Sequence, residues 1–149
     1  RTSGSLHLVG GQVADLEGEG ELLPLGDLTY IHESKTAALL TTSVKLGAMS
    51  ADAQPAELEA LGHFGMACGL AFQIIDDILD VTQTSEVLGK SAGKDLTAQK
   101  STFPALLGLE ESRRRAQALT SRARESLEIF GARGERLRQL ADHLLSREY

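Results

Sequence analysis

Phe72-Gln73-Ile74-Ile75-Asp76-Asp77-Ile78-Leu79-Asp80 sets three aspartates inside an otherwise apolar run. At about 100° per residue, Gln73, Asp76, Asp77 and Asp80 share an arc of roughly 100° on a helix. Ile74, Ile75, Ile78 and Leu79 take the rest of the circumference. A helix this apolar belongs in the centre of a fold, with its polar stripe facing something other than core.

The stripe is costly. Like charges at i and i+4 repel, and aspartate is a poor helix former. A partly buried carboxylate cluster either takes up protons or recruits a cation. Magnesium suits such oxygen donors, because it binds one or two carboxylates together with waters and a substrate phosphate. The competing reading is an exposed acidic face, but the intervening residues are too apolar for a solvated helix. A calcium loop is excluded by spacing, since the glycine turn and alternating oxygen ligands are missing.

The chain has 149 residues, a length that suits one domain or a large piece of one. A net charge of -6 disfavours broad nucleic-acid binding, and four Phe, two Tyr and no Trp argue against base-stacking platforms. The single cysteine, Cys68, excludes an internal disulfide and reads as a small core residue. No apolar run of membrane-spanning length and no signal peptide is expected. Arg1-Thr2-Ser3-Gly4-Ser5 opens the chain without an initiator Met, which reads as a fragment or one ordered part of a longer protein.

From Leu6 to about Glu17, Leu6, Val9, Val13 and Leu16 recur at helical spacing, with Gln12 and Asp15 on another side. Gly10-Gly11 would suit close approach of a neighbouring helix or ligand. A turn over Glu17–Glu21 leads to a second helix, capped by Asp27 or Thr29 and running to about Met49. Its Lys35-Thr36 pair reads either as a lysine that snorkels to water or as a phosphate ligand with a hydroxyl donor. Pro55 suits the first turn of a long helix to about Thr82, with Glu57 and Glu59 near its positive end. Gly62, Gly65 and Gly69 give this helix small faces.

Thr82 to Thr102 is polar and glycine-rich, a loop of lid-like length, and carries Lys90, Lys94 and Lys100. Gly89-Lys90-Ser91 is not a Walker A ending, because the upstream glycine and strand are missing. Phe103-Pro104 starts a short helix to Gly108, and Glu110 to about Phe130 forms an amphipathic one with Ala116, Leu119, Ala123 and Leu127 on one side. Arg113-Arg114-Arg115 reads as its solvated face. A last helix spans Glu135 to Ser146 through Leu137, Leu140 and Leu144. His7, His32, His63 and His143 lack metal-ligand spacing. No alternating strand pattern occurs, so the fold class is all-α.

Gly11-Gln12-x-x-Asp15, Lys35-Thr36, Gln73 to Asp80, Gly89-Lys90, Gly93-Lys94-Asp95 and Lys100-Ser101-Thr102-Phe103-Pro104 occur in one order. In that order and over nearly the whole chain, the sequence resembles trans-isoprenyl diphosphate synthases, in the C-terminal half of a geranylgeranyl or farnesyl diphosphate synthase. The resemblance implies an all-helical bundle around a central cavity, a homodimer, and residues 1–149 as the C-terminal part of one polyprenyl synthetase domain. It implies an enzyme that joins an allylic diphosphate to isopentenyl diphosphate, with geranylgeranyl diphosphate as the expected product and Mg2+ as cofactor. Departure of diphosphate would leave an allylic cation, which the second substrate attacks before a proton is lost.

By the same resemblance, Asp76, Asp77 and Asp80 would be the metal set, with Asp76 the principal magnesium ligand and Asp77 and Asp80 ligands through water or from behind the directly bound groups. Lys35, Lys90 and Lys100 would hold the allylic diphosphate. Thr36 and Gln73 would lie against the reacting carbons beside Lys35. Gln12, Asp15, Lys94 and Asp95 would line the cavity or orient metal waters. No nucleic-acid partner, no transmembrane segment and a cytoplasmic location are expected. The family's first aspartate-rich motif and its arginine pair are not among these residues, so this segment alone is expected to be inactive. Two other readings are a non-catalytic regulatory subunit of a heteromeric synthase and a terpene cyclase of related fold.

Overall fold

The fold follows from one long apolar helix and from how closely its neighbours can approach it. A computed structural model describes residues 1–88 and 101–145, with side chains described to Thr82 and from Ser101. Among these residues the elements are α1 Leu8–Glu17, α2 Leu25–His32, a π-helical turn Glu33–Ala37, α3 Ala38–Ser50, α4 Pro55–Leu88, α5 Phe103–Leu107, α6 Leu109–Glu125, a 3-10 turn Glu128–Gly134 and α7 Glu135–Leu145. The described residues contain no strand, as the all-α reading requires.

The α4 helix is the axis of the fold, about 50 Å long at 1.5 Å per residue. Phe64, Cys68, Ala71, Ile74, Ile75 and Ile78 along it are almost fully buried. They pack with Phe103 of α5, Ala116 and Ala123 of α6, Leu127, and Ala141 of α7 in one apolar cluster. Burial pushes the Cys68 thiol up to about 11, so it is a core group and not a nucleophile at neutral pH. The segment Pro55–Thr82 is long and apolar enough to cross a membrane, which corrects the expectation that no such run exists. Half of its most apolar stretch is buried inside the fold, as in the core helix of a globular domain.

The start of α4 matches its sequence. The Gln54 N–H donates to Glu57 Oε2 at 2.9 Å, the backward reach that satisfies a first-turn donor ahead of Pro55. Arg133 of the 3-10 turn donates to the other Glu57 oxygen at 2.8 Å. These donors hold the Glu57 carboxyl below its ordinary value, the Gln54 backbone N–H foremost.

The α2 helix, the π turn and α3 form a continuous rod, with helical backbone angles at both joins. This rod runs antiparallel to α4 and touches it nearly backbone to backbone. A Cβ on Gly65 would lie 2.5 Å from Thr41 Cα, and one on Gly69 would lie 2.5 Å from Ala37 Cα. On the other side of the π turn, a Cβ on Gly11 of α1 would lie 2.8 Å from the Lys35 nitrogen. Only residues without a side chain permit these approaches.

Other expectations change. The α1 helix begins at Leu8, and Leu6, Val9, Val13 and Leu16 are 47–58% exposed, so its apolar stripe faces outward. Periodicity marks a face but not the surface that covers it. The α2 helix begins at Leu25 behind Pro24, and neither Asp27 nor Thr29 caps it. Proline fixes φ and has no N–H to satisfy, so the helix can begin there, while the Thr29 hydroxyl turns back to donate to the Leu25 carbonyl at 2.7 Å. The α4 helix runs to Leu88 instead of ending near Thr82. On α7, Ala141 and Leu145 take the buried positions and Leu140 is 48% exposed. Arg114 lies exposed on α6 and pairs with Glu111, as expected, whereas Arg113 and Arg115 are half-buried and pair with Glu110 and Glu111.

Overpacking at the crossing gives a direct check. Gly69→Ala should lower stability by about 1–3 kcal/mol. Gly47→Ala, where a Cβ meets nothing within 4 Å, should raise it by up to about 1 kcal/mol; thermal unfolding of the two variants measures the contrast. A second check concerns Glu57. Its folded pKa is depressed, so its contribution is complete above the ordinary value of 4.5 and is lost as pH falls through the folded value. The gap in melting temperature between the parent and Glu57→Gln should therefore be full near pH 6 and close towards pH 3.

Candidate active site

The carboxylate stripe of α4 is divided by burial. Gln73 and Asp76 are half-buried, Asp80 is exposed and Asp77 is buried. Asp77 stands at the edge of the arc that turns towards the core. Its Oδ2 accepts from the backbone N–H of Phe103 at 2.9 Å and lies 3.1 Å from His32 Nε2. The His32 ring stacks on Phe103 with centroids 5.6 Å apart and planes 17° from parallel. Two donors offset the cost of burying this carboxylate. Among the described residues, no three His, Cys, Asp or Glu side chains converge on a metal position.

Lys35 lies within the π turn, a wider helical turn that often occurs at functional sites. Its Nζ donates to Asp15 Oδ2 of α1 at 2.6 Å, with the two side chains 30% and 15% exposed. The close approach at Gly11 brings α1 near enough for this pair. Gln12 is exposed on α1 and Thr36 is half-buried beside Lys35.

The packing fixes the depth of these groups along α4. Thr41 lies against Gly65, Ala37 against Gly69, and His32 against Asp77. Lys35 and Thr36 therefore lie at the level of residues between Gly69 and Asp77, beside Gln73 and within about one turn of Asp76. A cationic amine, a hydroxyl, an amide and the Asp76 carboxylate share one band of the fold, with Asp80 one turn further along α4. The hard oxygen donors of Asp76 and Asp80 fit magnesium, which takes its remaining ligands from water and phosphate.

Lys90, Lys94, Asp95 and Lys100 lie outside the described residues. The chain is described again at Ser101, whose hydroxyl donates to the Glu21 carbonyl and accepts from the Leu23 N–H, both at 2.8 Å. Sequence reasoning missed His32 and Ser101 as structural partners. His32 had one weak signal, a polar residue on the apolar side of its helix one turn before Lys35. Ser101 had none.

The comparisons with known proteins bear on the family and the fold. The polyprenyl synthetase family model matches residues 2–133. A dimethylallyltranstransferase of Fischerella ambigua is 46% identical over 147 residues, covering 98% of this chain and 42% of that protein. A chloroplastic geranylgeranyl pyrophosphate synthase of Capsicum annuum is 46% identical over 150 residues, covering 99% of this chain and 41% of that protein. The crystal structure of a Helicobacter pylori geranyltransferase complexed with magnesium and isoprenyl diphosphate superimposes with a TM-score of 0.73 at 32% identity, covering 97% of this chain and 49% of that one. The chain thus spans less than half the length of each of these relatives. With its family match and its all-helical frame in agreement, the chain belongs to the polyprenyl synthetase family.

Proposed function

We propose that this chain supplies one half of the active site of a trans-prenyltransferase, which condenses an allylic diphosphate with isopentenyl diphosphate. The product we assign is geranylgeranyl diphosphate. What supports the reading is the common depth of Lys35, Thr36, Gln73 and Asp76 on two antiparallel helices, in a family whose Helicobacter pylori member is described with magnesium and isoprenyl diphosphate.

Asp76 and Asp80 would hold magnesium, with Asp77 in support. When bound, the metal would offset the negative charge that collects on a departing diphosphate. Lys35 does the same work as a point charge with three N–H donors, and Thr36 adds a hydroxyl. Gln73 would set its amide dipole beside the reacting carbons. Gln12 and Asp15 would line the cavity, with Asp15 also orienting Lys35. Lys90 and Lys100 would grip the diphosphate, and Lys94 and Asp95 would stand behind them. Apolar surroundings on α4 would keep water from an allylic cation. A homodimer and a cytoplasmic location belong to the same proposal, although the Capsicum annuum relative is named as chloroplastic.

The chain holds a single aspartate-rich motif of this kind, Asp76-Asp77-x-x-Asp80. Alone it should show no prenyl transfer with magnesium, a C15 allylic diphosphate and radiolabelled isopentenyl diphosphate, and turnover would overturn the half-site reading. Binding is the second check. Manganese with inorganic pyrophosphate should broaden the amide resonances around Asp76, Asp80 and Lys35 in nuclear magnetic resonance spectra. Asp76→Asn should weaken that binding at least tenfold, and unchanged broadening would count against the site.

A further inference from the structure

Asp77 belongs to the aspartate motif by sequence, yet its surroundings differ from those of its two companions. It is 9% exposed, and its Oδ2 takes two donors from two other parts of the fold, Phe103 N and His32 Nε2. His32 is itself 6% exposed and covered by the Phe103 ring. The imidazole Nε2 is within hydrogen-bonding distance of Asp77 Oδ2, and its other nitrogen, Nδ1, is buried with no hydrogen-bond partner among the described residues. An oxygen so occupied is poorly placed to serve a cation on the outer face of α4.

The position of the bond matters more than its presence. His32 lies one turn before Lys35 on the same rod, and Asp77 directly follows Asp76 on α4. The His32–Asp77 contact therefore joins the lysine turn to the carboxylate helix by a very short path. Elsewhere this interface is held by close packing, Gly65 against Thr41 and Gly69 against Ala37, which resists separation more than rotation. Successive residues on a helix point about 100° apart. Holding Asp77 to His32 therefore fixes the direction in which Asp76 and Asp80 leave the helix. Directional polar contacts inside an apolar interface are used elsewhere to select one register.

We propose that the buried His32–Asp77 hydrogen bond, sealed by Phe103, sets the spacing between Lys35 and the Asp76/Asp80 face, and that Asp77 is a positioning residue and not a metal ligand. The proposal rests on the reading of the site given above, and the variants separate the two.

The test uses the isotopically labelled 149-residue chain with manganese and inorganic pyrophosphate as the probe. Hydrogen exchange at the Phe103 amide supplies an independent readout of the bond. Asp77→Asn keeps an oxygen acceptor. It should leave Phe103 exchange slow and keep broadening at Asp76, Asp80 and Lys35 within about twofold of the parent. Asp77→Leu removes the acceptor. It should speed Phe103 exchange at least tenfold and keep broadening at Asp80, while broadening at Lys35 falls at least twofold. Asp76→Asn should abolish the broadening and leave Phe103 exchange unchanged. If Asp77→Asn loses the probe as completely as Asp76→Asn, Asp77 is a ligand and the proposal fails. It also fails if Asp77→Leu leaves the Lys35 signal unaltered. Should Asp77→Leu not fold, the asparagine variant alone still decides between acceptor and ligand. Absence of broadening in the parent would overturn the metal–diphosphate reading and this proposal together, whereas failure in the Asp77 variants alone overturns only the positioning role.

Discussion

The rest of the structure depends on how near three backbones come to one another around the π turn. Gly11 presses on Lys35 from α1, while Gly65 and Gly69 press on Thr41 and Ala37 from α4. A glycine inside a helix costs roughly 0.5–1 kcal/mol relative to alanine. That cost is offset here by packing that no side chain would allow. A rod held at normal side-chain distance would carry Lys35 away from Asp15 and from the level of Gln73. The local expense in helix stability thus sets the geometry of the polar band.

The same closeness explains how the fold tolerates polar groups near its axis. Three aspartates in one arc would repel one another if they faced a common space. The fold separates them by direction. Asp77 turns inward to two N–H donors, and Asp76 and Asp80 stay on the wetter side. The His32 ring and the Phe103 backbone supply the internal partners that the buried carboxylate requires.

Much of this was legible in the sequence and some was not, for identifiable reasons. The central role of α4 follows from its long apolar run, and its start follows from Gln54, Pro55 and Glu57. The buried side of α6 follows from Ala116, Ala123 and Leu127. These are local signals with a helical period. The outward turn of Leu6, Val9, Val13 and Leu16 is not local, because periodicity locates a stripe without naming its neighbour. The split of Asp77 from Asp76 and Asp80 depends on where α2 and α5 dock, which no spacing within α4 contains. The π turn leaves no compositional mark. Its only trace is the set of glycines on the helices that touch it, and those were read as sites of close approach without a partner assigned.

The Lys35–Asp15 pair carries the argument one step further. A lysine side chain has on the order of 2 kcal/mol of rotamer freedom to lose when it is fixed. Asp15 has already removed much of it, with Nζ held at 2.6 Å in a half-buried setting. An incoming diphosphate then meets an amine that is charged, oriented and only partly hydrated, so less ordering remains at the moment of binding. The carboxylate also competes with that anion for the amine. A diphosphate carries more charge than one carboxylate and can share the amine without displacing it completely, since an ammonium has three donors. On the proposed reading, Asp15 keeps Lys35 aimed at the level of Gln73 and Asp76 while the site is empty, and it balances part of the lysine charge that would otherwise be left unpaired beside an apolar helix.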